Sequence, residues 1–90
     1  AMLMRMESDL LPLLEACAHG RLAEAKPPVF YQEASVCVVM AAKGYPGAYA
    51  KGSIIAGLEA AEHTGAVVFH AGTAREANNI IANGGRVLGV

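Results

Sequence analysis

The segment from Lys43 to Gly52 carries the residue types most able to do chemistry. It contains three glycines, two lysines and two tyrosines. Backbone N–H groups in glycine-rich loops and ammonium charges both bind phosphate or carboxylate. The spacing matches neither a Walker A loop nor the Gly-x-Gly-x-x-Gly pattern. The other interpretation, which spacing alone favours, is a structural loop with Pro46 and Gly47 at the centre of a type II turn.

The remaining polar residues predict no catalytic residue and no metal ligand. His70 closes a predicted strand with no carboxylate nearby, so we expect it to be buried and hydrogen-bonded as a structural histidine. The three histidines, His19, His63 and His70, lack the spacing of metal ligands, and the cysteines add none. Ser53 and Thr73 have no His-Asp arrangement in view, which places a small metal-free hydrolase last among the functions considered.

Composition excludes two classes of partner. The chain has seven Lys+Arg against eight Asp+Glu, so it has no basic surplus for nucleic acid or for an anionic membrane surface. The longest apolar run, Val36 to Ala42, is far shorter than the roughly 20 residues of a membrane-spanning helix. Cys17 and Cys37 form no disulfide framework, which favours a reducing cytoplasm. Ninety residues indicate one domain with a thin core that leans on a neighbour.

A helix is predicted near the N-terminus, from Ser8 to His19. Its first residue is a typical N-cap, and Gly20 is a plausible C-cap because glycine adopts positive φ freely. The following residues end at Pro27 and Pro28, which remove two backbone donors and favour an extended linker. We expect a boundary between two parts of a larger protein there.

Apolar runs in the rest of the chain predict strands, at residues 35–40, 54–55, 66–70, 79–82 and 86–90. The first run is unbroken by polar residues and is expected to be buried on both faces. A turn is expected at Gly72-Thr73. Asn83-Gly84-Gly85 stands between the last two runs, and Asn-Gly in that position is a strong hairpin signal. The order predicts an α+β fold, with one N-terminal helix followed by a mainly antiparallel β-sheet.

Three segments of the chain together resemble one family. They are Val38 to Gly47, Phe69 to Thr73 and Asn83 to Val90, and they occur in this order in the phosphoribosylamine–glycine ligases, also called glycinamide ribonucleotide synthetases. The opening residues Met4 to Leu11 are similar as well. Each motif alone is weak, but their order and near-matching spacing extend the resemblance from Met2 to Val90.

The resemblance implies an ATP-grasp enzyme of de novo purine biosynthesis. Such an enzyme activates the carboxylate of glycine with ATP as an acyl phosphate, which the amine of 5-phosphoribosylamine then attacks. Its cofactors are ATP and Mg²⁺ or Mn²⁺, which neutralise charge on the transferring phosphate. Its partners are therefore glycine, 5-phosphoribosylamine and ATP.

The resemblance also implies which part of that enzyme the chain supplies. Residues 1–26 are expected to be the helical tail of the ATP-grasp region, and residues 27–90 a truncated C-terminal β domain. In the family the metal-binding Glu and Asn precede the point where this chain begins. We therefore expect the isolated fragment to be inactive, to bind no cofactor alone, and to self-associate through exposed strand edges.

The candidates for contact with substrate are two glycine-containing segments. Their expected task is to shape the substrate face rather than to transfer protons, and they are Lys43, Gly44, Tyr45, Pro46, Gly47, Asn83, Gly84 and Gly85. Family members often carry Asp where Ala48 stands, which weakens the case for a chemical role of this loop. The alternative function is a stand-alone, non-catalytic module whose loop binds a small anion or a partner protein.

Overall fold

The chain divides into two units, Ala1–Val36 and Cys37–Val90, in a computed structural model that describes residues 1–90. The first unit holds the N-terminal helix and the second holds both β-sheets. The domain boundary predicted after residue 26 concerns the longer protein and stays a prediction.

The N-terminal helix, α1, is shorter than predicted and spans Leu11–Ala18. Short 3-10 helices at Met2–Arg5 and Leu22–Glu24 flank it. Ser8 was predicted as its N-cap, which is wrong, because the Ser8 hydroxyl accepts a hydrogen bond from the Val29 N–H at 3.0 Å. The Asp9 carboxylate instead accepts one from the N–H of the first helical residue, at 3.3 Å.

The C-terminus of α1 ends as the sequence predicts. Gly20 has a φ of +66°, in the left-handed region that favours glycine. Its N–H donates to the Cys17 carbonyl at 3.1 Å, and the Arg21 N–H donates to the Ala16 carbonyl at 2.8 Å. These two bonds form a Schellman motif, which satisfies carbonyls that a helix end leaves unpaired.

The second unit contains two three-stranded antiparallel sheets and a short helix. The elements are β1 (Val39–Ala41), β2 (Ile54–Ile55), α2 (Leu58–His63), β3 (Phe69–His70), β4 (Thr73–Glu76), β5 (Asn79–Ala82) and β6 (Arg86–Gly89). The sheet orders are β1-β6-β3 and β2-β5-β4. The α+β class is confirmed. The helix α2 was not predicted, and with six residues it offers little periodicity to detect.

The hairpin predicted at Asn83-Gly84-Gly85 is wrong. Strand β5 pairs with β2 and β4, whereas β6 pairs with β1 and β3, so these three residues join the central strands of two different sheets. The tight hairpin turn lies earlier, between β4 and β5, where Ala77 has a φ of +51°. Thr73 was expected in a turn but begins β4.

The core is thin, as predicted, and consists of the buried side chains of Ala82, Val87 and Leu88. The expectation that residues 35–40 form a strand buried on both faces is wrong. Strand β1 begins later, and all three of its residues are exposed. The physical reason is position, because β1 is an edge strand and lies at the side of a sheet rather than at its centre.

No helix in the structure could cross a membrane, because none combines sufficient length with sufficient apolar character. The longest, α1, has eight residues.

Gly72 should be intolerant of a side chain. A Cβ at this position would lie 2.6 Å from the Arg86 carbonyl oxygen and 2.7 Å from the Gly84 Cα, both of them backbone atoms. Gly72→Ala must therefore separate two main chains, and we expect it to lower the free energy of unfolding by about 1–3 kcal/mol. Urea denaturation followed by circular dichroism measures this difference.

Gly47→Ala is the matched control. A Cβ there has one neighbour, the Gly44 carbonyl oxygen at 3.3 Å, in a loop rather than between sheets. An equal loss of stability in both variants would contradict the importance of the contact at Gly72.

Candidate functional site

Two of the predicted segments, the loop after β1 and the segment before β6, lie together. The Ala42 N–H donates to the Gly85 carbonyl at 2.8 Å, because β1 and β6 run antiparallel and the end of one meets the start of the other. The Tyr45 ring covers the Gly85 backbone so closely that a Cβ there would overlap it, lying 2.7 Å from Cε2. Gly85 is buried by this packing.

The loop itself is folded around Gly44. This residue has a φ of +98°, and a Cβ on it would overlap the Ala48 carbonyl oxygen. The Tyr45–Pro46 peptide bond is cis. The predicted type II turn is wrong, because that turn requires a positive φ at Gly47, and Gly47 does not have one.

Beside this contact lies an open cleft of ≈ 570 Å³ on the first sheet. Its lining includes two aromatic residues, Tyr45 and Phe69, and two polar residues, His70 and Arg86. The remaining lining residues are small or aliphatic: Val39, Ala71, Gly85, Leu88 and Gly89. The cleft is more open than enclosed, so it would leave much of a small ligand exposed to solvent.

Strand register places a glycine at the centre of this sheet. Gly89 on the central strand pairs with Val39 on one side and with Phe69 on the other. Since glycine has no side chain, the Cys37 side chain can approach the strand at this point. A Cβ on Gly89 would lie 3.2 Å from the Cys37 Sγ, so there is little room for a side chain at Gly89.

The cleft is electrostatically positive in character. No Asp or Glu lines it. The guanidinium of Arg86 has no ion-pair partner, since the protein's salt bridge joins Arg21 to Glu24 in the other unit, at 2.6 Å. His70 was predicted to be buried, which is wrong, but it is hydrogen-bonded as expected, with Nδ1 at 3.0 Å from the Thr73 Oγ1.

The structure places the eight predicted candidates unequally. Tyr45 and Gly85 line the cleft, whereas the other six do not: Lys43, Gly44, Pro46, Gly47, Asn83 and Gly84. Arg86 and Phe69 were missed as candidates. The sequence signal for Arg86 was its position directly after Gly84 and Gly85. It was missed because residues 83–85 were assigned to a hairpin turn, and that assignment gives a different strand pairing from the one that places Arg86 in the same cleft as Tyr45.

A second cleft, of ≈ 460 Å³, lies in the first unit against α1. Its lining mixes acidic and basic side chains, including Asp9, Glu15 and Arg21. Nowhere in the protein do three or more His, Cys, Asp or Glu side chains form a group that could hold a metal ion. Because the lining of the cleft on the sheet contains an arginine and no carboxylate, that cleft is the better candidate for recognising an anion.

The packing of Tyr45 on Gly85 should be measurable as an energetic coupling. In Gly85→Ala the added methyl group would overlap the Tyr45 ring. We expect this substitution to lower the free energy of unfolding by about 1–3 kcal/mol. The same substitution in a Tyr45→Ala background should cost at least about 1 kcal/mol less, because the ring is gone. A double-mutant cycle by urea denaturation measures the difference, and additive effects would contradict the contact.

Comparisons with known proteins agree on one family. Residues 35–90 match the family model described as "Phosphoribosylglycinamide synthetase, C domain". The phosphoribosylamine–glycine ligase of Phenylobacterium zucineum is 54% identical over 90 residues, which cover 99% of this chain and 21% of that protein. The chloroplastic phosphoribosylamine–glycine ligase of Arabidopsis thaliana is 48% identical over 92 residues, covering 99% of this chain and 17% of that protein.

A multifunctional relative is similar over nearly the same region. The trifunctional purine biosynthetic protein adenosine-3 of Gallus gallus is 45% identical over 85 residues, covering 94% of this chain and 8% of that protein. The chain spans about a fifth of the length of the bacterial relatives that it matches. Because the family model covers more than half of the chain, the chain belongs to the phosphoribosylglycinamide synthetase family, in which residues 35–90 correspond to the C domain.

Proposed function

We propose that the chain forms the C-terminal part of a phosphoribosylamine–glycine ligase and shapes one face of its substrate site. The observation that carries the proposal is sequence identity to ligases of this name. Two of them are 54% and 49% identical to the chain over 99% of its length. The packing of Tyr45 on Gly85 supports the role in shaping, because it fixes the loop after β1 against the start of β6.

The proposed reaction joins glycine to 5-phosphoribosylamine with ATP. The glycine carboxylate is phosphorylated, and the amine nitrogen then displaces phosphate from the acyl carbon. Mg²⁺ or Mn²⁺ neutralises charge on the transferring group when bound. The residues of this chain do not fit a metal site, because they offer no group of three ligands. We therefore assign no phosphoryl-transfer step to them, and we propose that the isolated chain is inactive.

The loop around Gly44 provides a test of the shaping role in the longer protein. Gly44→Ala strains a backbone with φ of +98° and drives a methyl group toward the Ala48 carbonyl, so the loop must move. Misplacing a positioning element by about 1 Å costs roughly 100-fold in rate. We expect kcat/KM of the ligase reaction, measured by ADP release, to fall at least about tenfold.

Glu59→Gln is the matched control, because Glu59 is exposed on α2 and does not line the cleft. Equal and negligible effects of the two substitutions would reject the role of the loop. The isolated chain, given ATP, glycine and 5-phosphoribosylamine, should release no ADP, and release by it would overturn its proposed inactivity.

Self-association of the isolated chain is proposed through the outer edge of β1. Val38 and Val90 exchange backbone hydrogen bonds at 2.8 and 3.0 Å. Since antiparallel pairs alternate, the backbone N–H and C=O of Val39 point away from β6. Val38 and Met40 are exposed at this edge, and the edge carries no charged residue. An uncharged, apolar strand edge favours pairing with a strand of another molecule.

Met40→Lys should weaken this association, because a charged edge residue opposes strand pairing. We expect the dissociation constant, measured by sedimentation or light scattering, to rise at least about tenfold. Leu11→Lys places the same charge on α1, in the other unit, and should leave the constant unchanged. A strictly monomeric wild-type chain at high concentration would contradict the proposal.

A further inference from the structure

The connection between β5 and β6 contains the dipeptide Asn83-Gly84, two residues that do not line the cleft on the first sheet. The backbone nitrogen that follows an asparagine can attack its side-chain carboxamide, and glycine hinders this attack least because it has no Cβ. We propose that Asn83 is a site of spontaneous deamidation, with water as the co-reactant. The modification needs no enzyme, so it proceeds whatever reaction the longer protein catalyses.

The reaction passes through a cyclic imide. The Gly84 nitrogen bonds to the Asn83 Cγ while the C–N bond of the carboxamide breaks, and the proton that Gly84 loses leaves with the ammonia. Water then opens the ring at either of its carbonyl carbons. Opening at Cγ gives aspartate, whereas opening at the main-chain carbonyl gives isoaspartate, in which the main chain runs through Cβ and Cγ.

The three asparagines of the chain differ in the nitrogen that would attack, and not in exposure. Asn78, Asn79 and Asn83 are all exposed. The nitrogens that follow Asn78 and Asn79 both belong to β5, at positions that pair with β4. The N–H of Gly84, by contrast, lies outside every strand and donates no backbone hydrogen bond. Reaction at Asn83 therefore requires no strand pair to open.

The connection that contains Asn83 is bonded to Gly72 at both of its ends. The Asn83 N–H donates to the Gly72 carbonyl at 2.8 Å, and the Gly72 N–H donates to the Arg86 carbonyl at 2.9 Å. Between these bonds Gly84 packs closely on Gly72, since a Cβ on Gly84 would lie 2.9 Å from the Gly72 Cα. Isoaspartate adds a carbon atom to the main chain at this point, so we expect it to break one of the two bonds and to destabilise the fold.

Incubation of the 90-residue chain in mildly alkaline buffer prepared with ¹⁸O-labelled water tests the proposal. Trypsin, used afterwards in ordinary water, cleaves after Arg75 and Arg86. The single peptide Glu76–Arg86 therefore contains all three asparagines and compares them directly. Fragmentation of this peptide in a mass spectrometer locates each exchange of NH₂ for OH and shows whether the new oxygen is ¹⁸O.

Asn83 should convert at least about tenfold faster than Asn79, because the neighbour of Asn79 is Ile80, which is branched at Cβ and paired within β5. The new oxygen at Asn83 should be ¹⁸O. Asn83→Gln is the matched control, since glutamine must close a ring that is larger by an atom, and the conversion at this position should disappear. The ¹⁵N spectrum of the variant reports whether it is folded.

The stability of the products separates the extra main-chain atom from the new charge. The isoaspartate form, isolated by chromatography, should unfold at a lower urea concentration than the unmodified chain. Asn83→Asp carries the same new charge without the extra atom, and its midpoint should stay close to that of the unmodified chain.

Three results would overturn the proposed site: equal conversion of Asn83 and Asn79, conversion without ¹⁸O, and undiminished conversion in Asn83→Gln. Equal urea midpoints of the isoaspartate form and the unmodified chain would overturn the predicted damage to the bonds at Gly72. An equally large loss of stability in Asn83→Asp would assign that damage to charge instead.

Discussion

The second unit depends on a contact between two stretches of main chain, at Gly72 and Gly84. The Asn83 N–H donates to the Gly72 carbonyl at 2.8 Å, and the Gly72 N–H donates to the Arg86 carbonyl at 2.9 Å. Both connections between the sheets therefore run side by side. The β4–β5 hairpin continues through them into the β3–β6 pair, so the two sheets share one long hairpin that is interrupted at the glycines.

This continuity explains how a unit with three buried side chains still presents a defined cleft. Much of the cleft is positioned by backbone pairing rather than by core packing. Strand β6 lies at the centre of its sheet and contributes Arg86, Leu88 and Gly89 to the cleft, and hydrogen bonds to β1 and β3 hold it on both sides. The Tyr45 ring then closes one wall by resting on Gly85, where only glycine leaves room for it.

Some of this architecture could be predicted from local sequence, and some could not. The C-cap at Gly20 and the strand Ile54–Ile55 were predictable, because a glycine after a helix and a β-branched pair are local signals. The role of Asn83-Gly84 was not predictable. The same dipeptide can form a hairpin turn within one sheet or connect two sheets, and the pairing partners of the flanking strands, which are distant in sequence, decide between the two. The exposure of β1 was hidden for the same reason, since an apolar run does not say whether a strand is central or at an edge.

The candidate site was likewise predictable from the sequence only in part. A loop rich in glycine near Tyr45 was visible in the sequence, and so was the segment ending at Gly85. Their contact depends on the pairing of β1 with β6, and Arg86 enters the cleft only in that register. His70 was visible but was assigned a buried position, because the alternation of its strand could not be set against an unknown neighbour.

The meeting of Gly72 and Gly84 has a consequence for how this protein can vary. Where two side chains touch, a larger residue on one side can be offset by a smaller one on the other. Here both partners already present only hydrogen atoms, so neither has any volume left to give up. A side chain introduced at either glycine therefore cannot be offset by a smaller residue at the other, and the two main chains must move apart to admit it.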